Sequence, residues 1–121
     1  MKASKRQKKL LTSQQFRAVY DRGQKFHTPF FSAFFLKTSS LDQRVGITVT
    51  RKIGGAVIRN RCKRRIREAL RRQENFRFND IGYDLVVNAK ASLLTADFRQ
   101  LERVFEQFLG RIRGTLSGDG S

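Results

Sequence analysis

An α+β fold, a two-layer α/β sandwich of one small sheet with helices packed on it, is what this sequence predicts. Three observations predict it. Helical and strand-like hydrophobic patterns alternate along the chain in the order helix, strands, helix, strand, helix. The 121 residues are 39% hydrophobic and include 11 Phe, enough for one modest core and one domain. Charge is concentrated: ten of the 26 basic residues lie between Arg51 and Arg72 beside one acid, Glu68. That stretch carries a net +9 out of +16 for the chain. A segment this positive repels itself, and a polyanionic partner would offset that cost.

Met1 to Lys9 holds five basic residues and no acid, so residues 1–9 read as a basic, flexible N-terminus. Thr12 and Gln15 fit a capping box, and Phe16, Val19 and Tyr20 share one helical face. Gly23 supplies the stop, giving a first helix at 13–22. Residues 26–37 are aromatic-rich, and Pro29 suits a strand start or edge. After a turn at Ser39, Ser40 and Asp42, residues 44–50 are β-branched and alternating. These two segments are expected to pair antiparallel.

Gly54-Gly55 interrupts the chain before a long helix at 56–73. Ile58, Cys62, Ile66 and Ala69/Leu70 recur on it every three or four residues, forming one apolar stripe. Residues 82–89 read as a strand. Thr95 is the expected N-cap of a last helix whose Phe98, Leu101, Val104/Phe105, Phe108/Leu109 and Ile112 share a face. The domain therefore spans 10–113, and the Gly/Ser-rich 114–121 is expected to be a flexible tail. Between Gly82 and Gly110 three basic residues stand against four acids, so the positive field belongs to the N-terminus and the central helix.

On that helix, Arg61, Arg65 and Arg72 align, Asn60, Arg64, Arg67 and Arg71 lie opposite the apolar stripe, and Arg59 and Lys63 flank it. Arg outnumbers Lys seven to one between positions 59 and 72. Planar guanidinium groups grip two phosphate oxygens at once, which favours geometric phosphate contact over diffuse attraction. The Gly-Gly turn adds backbone N–H groups at the helix start, but the spacing of a Walker loop is absent. Glu68 is the one local acid for ion pairing, which argues against a merely solvated face. Phosphate density of this kind suits a folded RNA better than a DNA groove, though periodicity alone does not separate the two.

Aromatics are the second signal. Phe30, Phe31, Phe34 and Phe35 cannot all face one side of a strand. Of these and Phe16 and Tyr20 on the first helix, at least two are expected to be accessible, as a platform on which unpaired bases stack. Catalytic chemistry is poorly provided for. His27 is the only histidine, Cys62 falls on the apolar stripe, and the ten acids are scattered. No catalytic residue and no metal site is therefore expected on this chain. One cysteine excludes an internal disulfide, and no apolar run reaches membrane-spanning length.

The segment Arg44 to Leu70 closely resembles the protein subunit of bacterial ribonuclease P. The residues that carry the resemblance are Arg44-Val-Gly-Ile-Thr-Val-Thr50, Lys52-Ile-Gly-Gly-Ala-Val-Ile58, Arg59-Asn60-Arg61 and Lys63-Arg64. Lys9-Leu10, Phe16, Tyr20 and Gly23 match the family's N-terminal pattern, and the similarity extends over about residues 8 to 113. It implies a small mixed sheet in the order α-β-β-β-α-β-α with a left-handed β-α-β crossover, where general statistics favour a right-handed one.

The resemblance also implies a role: protein cofactor of a ribonucleoprotein that removes the 5′ leader of precursor tRNA. Mg²⁺ would act through the RNA subunit, with no organic cofactor. Its RNA-facing set would be Lys52, Arg59, Asn60, Arg61, Lys63, Arg64 and Arg67. Phe16, Tyr20 and Phe34 would form the leader cleft. The implied partners are the catalytic RNA and precursor tRNA, bound by a protein monomer in a 1:1 complex with the RNA in the cytoplasm, without a membrane. Cys62 stands where an aliphatic residue is usual, Gly55 where Asn is frequent, Lys9 in place of Arg, and Phe34 where Tyr can occur. The alternatives are a structural or chaperone RNA-binding protein of ribosomal type and a DNA-binding regulator.

Overall fold

The computed structural model describes residues 12–73 and 81–118. The expected basic N-terminus at 1–9, Lys9 and Leu10 lie outside the described residues, as do the last three residues of the chain. Helix α1 spans Ser13–Arg22, strands β1, β2 and β3 span Gln24–His27, Phe31–Thr38 and Gln43–Thr48, and helix α2 spans Ala56–Arg71. Strand β4 (Gly82–Ala89), a short 3-10 turn (Ala91–Thr95) and helix α3 (Phe98–Gly118) follow.

Helix α1 starts where its sequence dictates. Thr12 Oγ1 accepts from the Gln15 amide at 3.1 Å, and Gln15 Oε1 accepts from the Thr12 amide at 2.8 Å. This reciprocal box satisfies two of the amides that a helix start leaves open. Gly23 ends the helix by close approach, not by a left-handed turn. Its backbone is extended, and a Cβ there would meet the Val19 carbonyl oxygen at 2.5 Å.

The expected strand at 26–37 is two strands. Pro29 sits in the turn between them, where Thr28 Oγ1 accepts from the Phe30 and Phe31 amides and donates to the Phe31 carbonyl. A proline and a side chain that bonds local backbone favour a turn over a continued strand. The expected antiparallel pairing of the second and third strand segments is also overturned. The sheet order is β1-β2-β4-β3, with β4 antiparallel to β2 and parallel to β3. Residues 82–87 are buried at every position, and a strand apolar on both faces is stable only between neighbours. Helix α2 is thus the crossover between the parallel strands β3 and β4. Gly82 lets β4 begin tight against the preceding loop: a Cβ would lie 1.6 Å from the Ser40 carbonyl oxygen.

Alternation divides the sheet into two faces. Phe26, Phe31, Ala33, Phe35, Tyr83, Leu85 and Val87 join Cys62, Ile66 and Leu70 of α2 and Leu101, Phe105, Phe108 and Ile112 of α3 in the main core. Phe31 stacks on Phe105 at 4.3 Å between centroids, and Phe26 meets Phe108 edge-on at 5.4 Å. Each such side chain contributes on the order of 1.5–3 kcal/mol by leaving water. The opposite face carries a smaller cluster of Val19 and Val86, with Phe16, Phe34 and Leu36 packed against it. Helix α1 therefore adds a partial third layer to the two expected.

Two further expectations change at the C-terminal end. Thr95 closes the 3-10 turn, and Asp97 precedes α3, its carbonyl accepting from the Leu101 amide at 3.0 Å. Helix α3 continues through the first residues of the expected tail to Gly118. Leu116 explains the extension by packing against the main core.

Candidate nucleic-acid interface

Helix α2 turns its apolar stripe inward as its spacing predicts: Cys62, Ile66, Ala69 and Leu70 are buried. Cys62 is a fully buried core group, and burial raises its thiol above its ordinary range against the opposing pull of Arg65 and Arg61. The opposite side presents Asn60, Arg61, Arg64, Arg67 and Arg71, all exposed. Arg59 and Lys63 are half-buried on one flank, and the Arg59 Nε is buried with no hydrogen-bond partner among the described residues. Lys52 is exposed in the turn between β3 and α2, where the Ile53 amide donates to the Thr50 carbonyl at 3.1 Å. No side chain caps the first turn of α2, which follows from Gly55 at the N-cap.

The other flank behaves differently. Arg65 donates to the carbonyls of Leu93 at 3.4 Å, Leu94 at 3.2 Å and Ala96 at 2.6 Å, and so ties α2 to the 3-10 turn. Arg72 reaches Glu68 at 3.1 Å and Glu102 at 3.4 Å and lies over the Phe98 ring at 5.2 Å. Arg71 also pairs with Glu68 at 2.6 Å, and its hydrogen bond with that of Arg72 holds the Glu68 carboxyl below its ordinary range. Sequence reasoning saw Glu68 as the only local counter-charge; Glu102, thirty residues away, is a second. The exposed polar surface of α2 and the turn before it therefore runs along Lys52, Asn60, Arg61, Arg64 and Arg67, with Arg59 and Lys63 half-buried beside it.

On the far face of the sheet, Phe16, Tyr20 and Phe34 come together as expected. The Phe16 and Tyr20 rings are 6.3 Å apart and near-parallel, and Tyr20 meets Phe34 edge-on at 4.8 Å. Tyr20 is 41% exposed, while Phe16 and Phe34 are half-buried. Lys25 Nζ lies 5.5 Å from the Phe34 centroid, a positive charge at the edge of the aromatic surface. Phe30 is also half-buried, but it packs against the main core. Two polar residues on this face were not singled out from the sequence: Asn88 accepts from the Tyr20 hydroxyl at 3.1 Å and from the Thr48 hydroxyl. The alternation of β4 could have shown Asn88 opposite the core.

Among the described residues no group of three or more His, Cys, Asp or Glu side chains could hold a metal ion. Nor is any described helix long and apolar enough to cross a membrane.

A basic helix crossing between parallel strands, with an aromatic surface on the sheet's other face, defines an α+β domain suited to nucleic acid. The ribonuclease P family model matches residues 4–113. The chain is 35% identical over 106 residues to the ribonuclease P protein component of Clostridioides difficile, covering 88% of this chain and 92% of that protein. It is 38% identical over 104 residues to the same component of Nitratiruptor, covering 86% and 91%. The solved ribonuclease P protein of Thermotoga maritima superimposes with a TM-score of 0.73 at 28% identity, covering 87% of this chain and 97% of that one. The chain belongs to the ribonuclease P protein family, whose role lies in tRNA 5′ processing.

Proposed function

We propose that this chain is the protein cofactor of a ribonucleoprotein endonuclease, holding the catalytic RNA on α2 and the 5′ leader of precursor tRNA against α1. One observation carries this: the basic surface of α2 and the aromatic surface of α1 and β2 are both open, and they serve different chemistries. Lys52, Arg59, Asn60, Arg61, Lys63, Arg64 and Arg67 offer charge and N–H donors to phosphates of a folded RNA. Phe16, Tyr20 and Phe34 offer ring faces and edges to unpaired bases, with Lys25 beside them for the connecting phosphates.

In this reading the chemical step belongs to the RNA subunit, and this chain contributes binding surfaces. Mg²⁺ bound through the RNA subunit would supply the metal-ion chemistry of the hydrolysis. The protein binds and orients. One copy joins one catalytic RNA, in the cytoplasm, and the bound substrate is precursor tRNA.

The test is cleavage of 5′-labelled precursor tRNA at low Mg²⁺, with and without a bacterial ribonuclease P RNA. Stimulation that needs both components is expected. Binding without stimulation of any such RNA would favour a structural RNA-binding role. Cleavage by the nuclease-free protein alone would place a catalytic site on this chain.

A further inference from the structure

Helix α2 is fastened to the rest of the fold unevenly. Its buried residues are Cys62, Ile66, Ala69 and Leu70, and two of them are small. Small side chains make fewer dispersion contacts, so apolar packing alone constrains the rotation of this helix less than four large residues would. Polar ties on one flank add the missing constraint. Arg65 Nη1 donates to the Leu93 and Leu94 carbonyls, and Nη2 donates to the Ala96 carbonyl at 2.6 Å. These carbonyls close the 3-10 turn, the end at which a helix leaves acceptors open and carries its negative pole. The Phe98 ring lies 6.0 Å from the same guanidinium and 5.2 Å from that of Arg72. Arg72 also reaches Glu102 at 3.4 Å, and Gln73 Nε2 donates to the Glu102 carbonyl at 3.1 Å.

Arg65 and Arg72 lie on one side of α2, about two turns apart. Two anchor points on one line fix both the tilt of a helix and its rotation about its own axis. Arg61 stands one turn before Arg65 on that line, because residues four apart share a helix side. Arg61 is exposed, while Arg65 is half-buried. One residue step is about 100° of rotation, so slippage by a fraction of a step moves the end of a long side chain by several ångströms. A two-pronged contact with a phosphate does not survive such a shift.

We infer that Arg65 is a positioning residue for the catalytic RNA. It makes no contact with the RNA itself; by clasping the 3-10 turn it fixes the rotation of α2 that presents Arg61 to a phosphate. This rests on the reading of α2 as the RNA-binding surface. A guanidinium suits the task because its planar fork spans three carbonyls from one place, whereas an ammonium is a single point of charge.

The experiment measures the affinity of the full-length protein for a bacterial ribonuclease P RNA across a salt series, in a cycle of Arg65→Met, Arg61→Ala and the double variant. Arg65→Met keeps the aliphatic stem and removes the fork. It is expected to weaken binding about five-fold in the native background and less than about two-fold beside Arg61→Ala, where the side chain it positions is gone. Its salt slope is expected to stay that of the native protein, while Arg61→Ala lowers the slope by about one. Arg65→Lys keeps the charge and is expected to weaken binding nearly as much as Arg65→Met. Circular dichroism in the same buffers gives the folded fraction. Truncating the exposed Arg61 leaves stability nearly unchanged, so a smaller folded fraction weakens both backgrounds by the same factor and drops out of the cycle. No loss for Arg65→Met, equal losses in the two backgrounds, native affinity for Arg65→Lys, or a slope that Arg65→Met lowers by about one would each overturn the inference. An Arg61→Ala variant that changes neither affinity nor slope would instead sink the α2 reading beneath it.

Discussion

The two faces of the sheet are built from alternate residues of the same four strands, and they are finished differently. One buries Phe31, Leu85 and Val87 against Phe105 and Phe108 and shows little beyond apolar contact. The other buries a few groups around Val19 and Val86 and leaves Tyr20, Phe34, Asn88 and Thr48 partly open. A face sealed by two helices supplies the stability, which lets the second face hold rings and amides in exposed positions. The covering of this face is incomplete: α1 packs on β2 and β4, and Thr48 on edge strand β3 stays half-buried.

The largest expected effect breaks the sealed face. Phe105→Ala removes a fully buried ring that stacks on Phe31 and touches Phe108. It is expected to cost about 3–5 kcal/mol of stability, read as a lower melting temperature or denaturant midpoint. Any loss of activity should follow the unfolded fraction.

A smaller effect separates two arginines next to each other on α2. Arg65 spends its guanidinium on the Leu93, Leu94 and Ala96 carbonyls, while Arg64 is exposed. Arg65→Ala is expected to lose about 2 kcal/mol of stability and leave the salt dependence of RNA binding nearly unchanged. Arg64→Ala is expected to do the reverse. Stability should stay within about 0.5 kcal/mol, and the slope of log affinity against log salt should fall by about one. Equal salt effects for the two variants would put Arg65 in the interface as well.

The start of α1 and the core stripe of α2 were legible in the sequence because they rest on local chemistry, whereas both ends of α3 were not. Thr12 and Gln15 wrote the start of α1, and the Ile58 to Leu70 spacing wrote the buried side of α2. Phe16, Tyr20 and Phe34 were legible as a group through family resemblance, and they do meet. Strand order was not legible. Chain neighbours usually pair, yet β4, the most continuously buried strand, inserts between β2 and β3. The division of labour on α2 was equally hidden, because Arg65 is tied down by carbonyls some thirty residues downstream. Asn88 escaped notice because its meaning depends on Thr48 and Tyr20, which only tertiary packing brings to it.

The most direct test of the open face as the substrate-reading face is the affinity of the reconstituted holoenzyme for precursor and for mature tRNA, with Phe16 intact and as Phe16→Ala. Phe16 is half-buried on α1 and near-parallel to Tyr20 at 6.3 Å. Losing one stacking partner is expected to weaken precursor tRNA about ten-fold while leaving mature tRNA unchanged. Equal losses for both, or none for either, would contradict it.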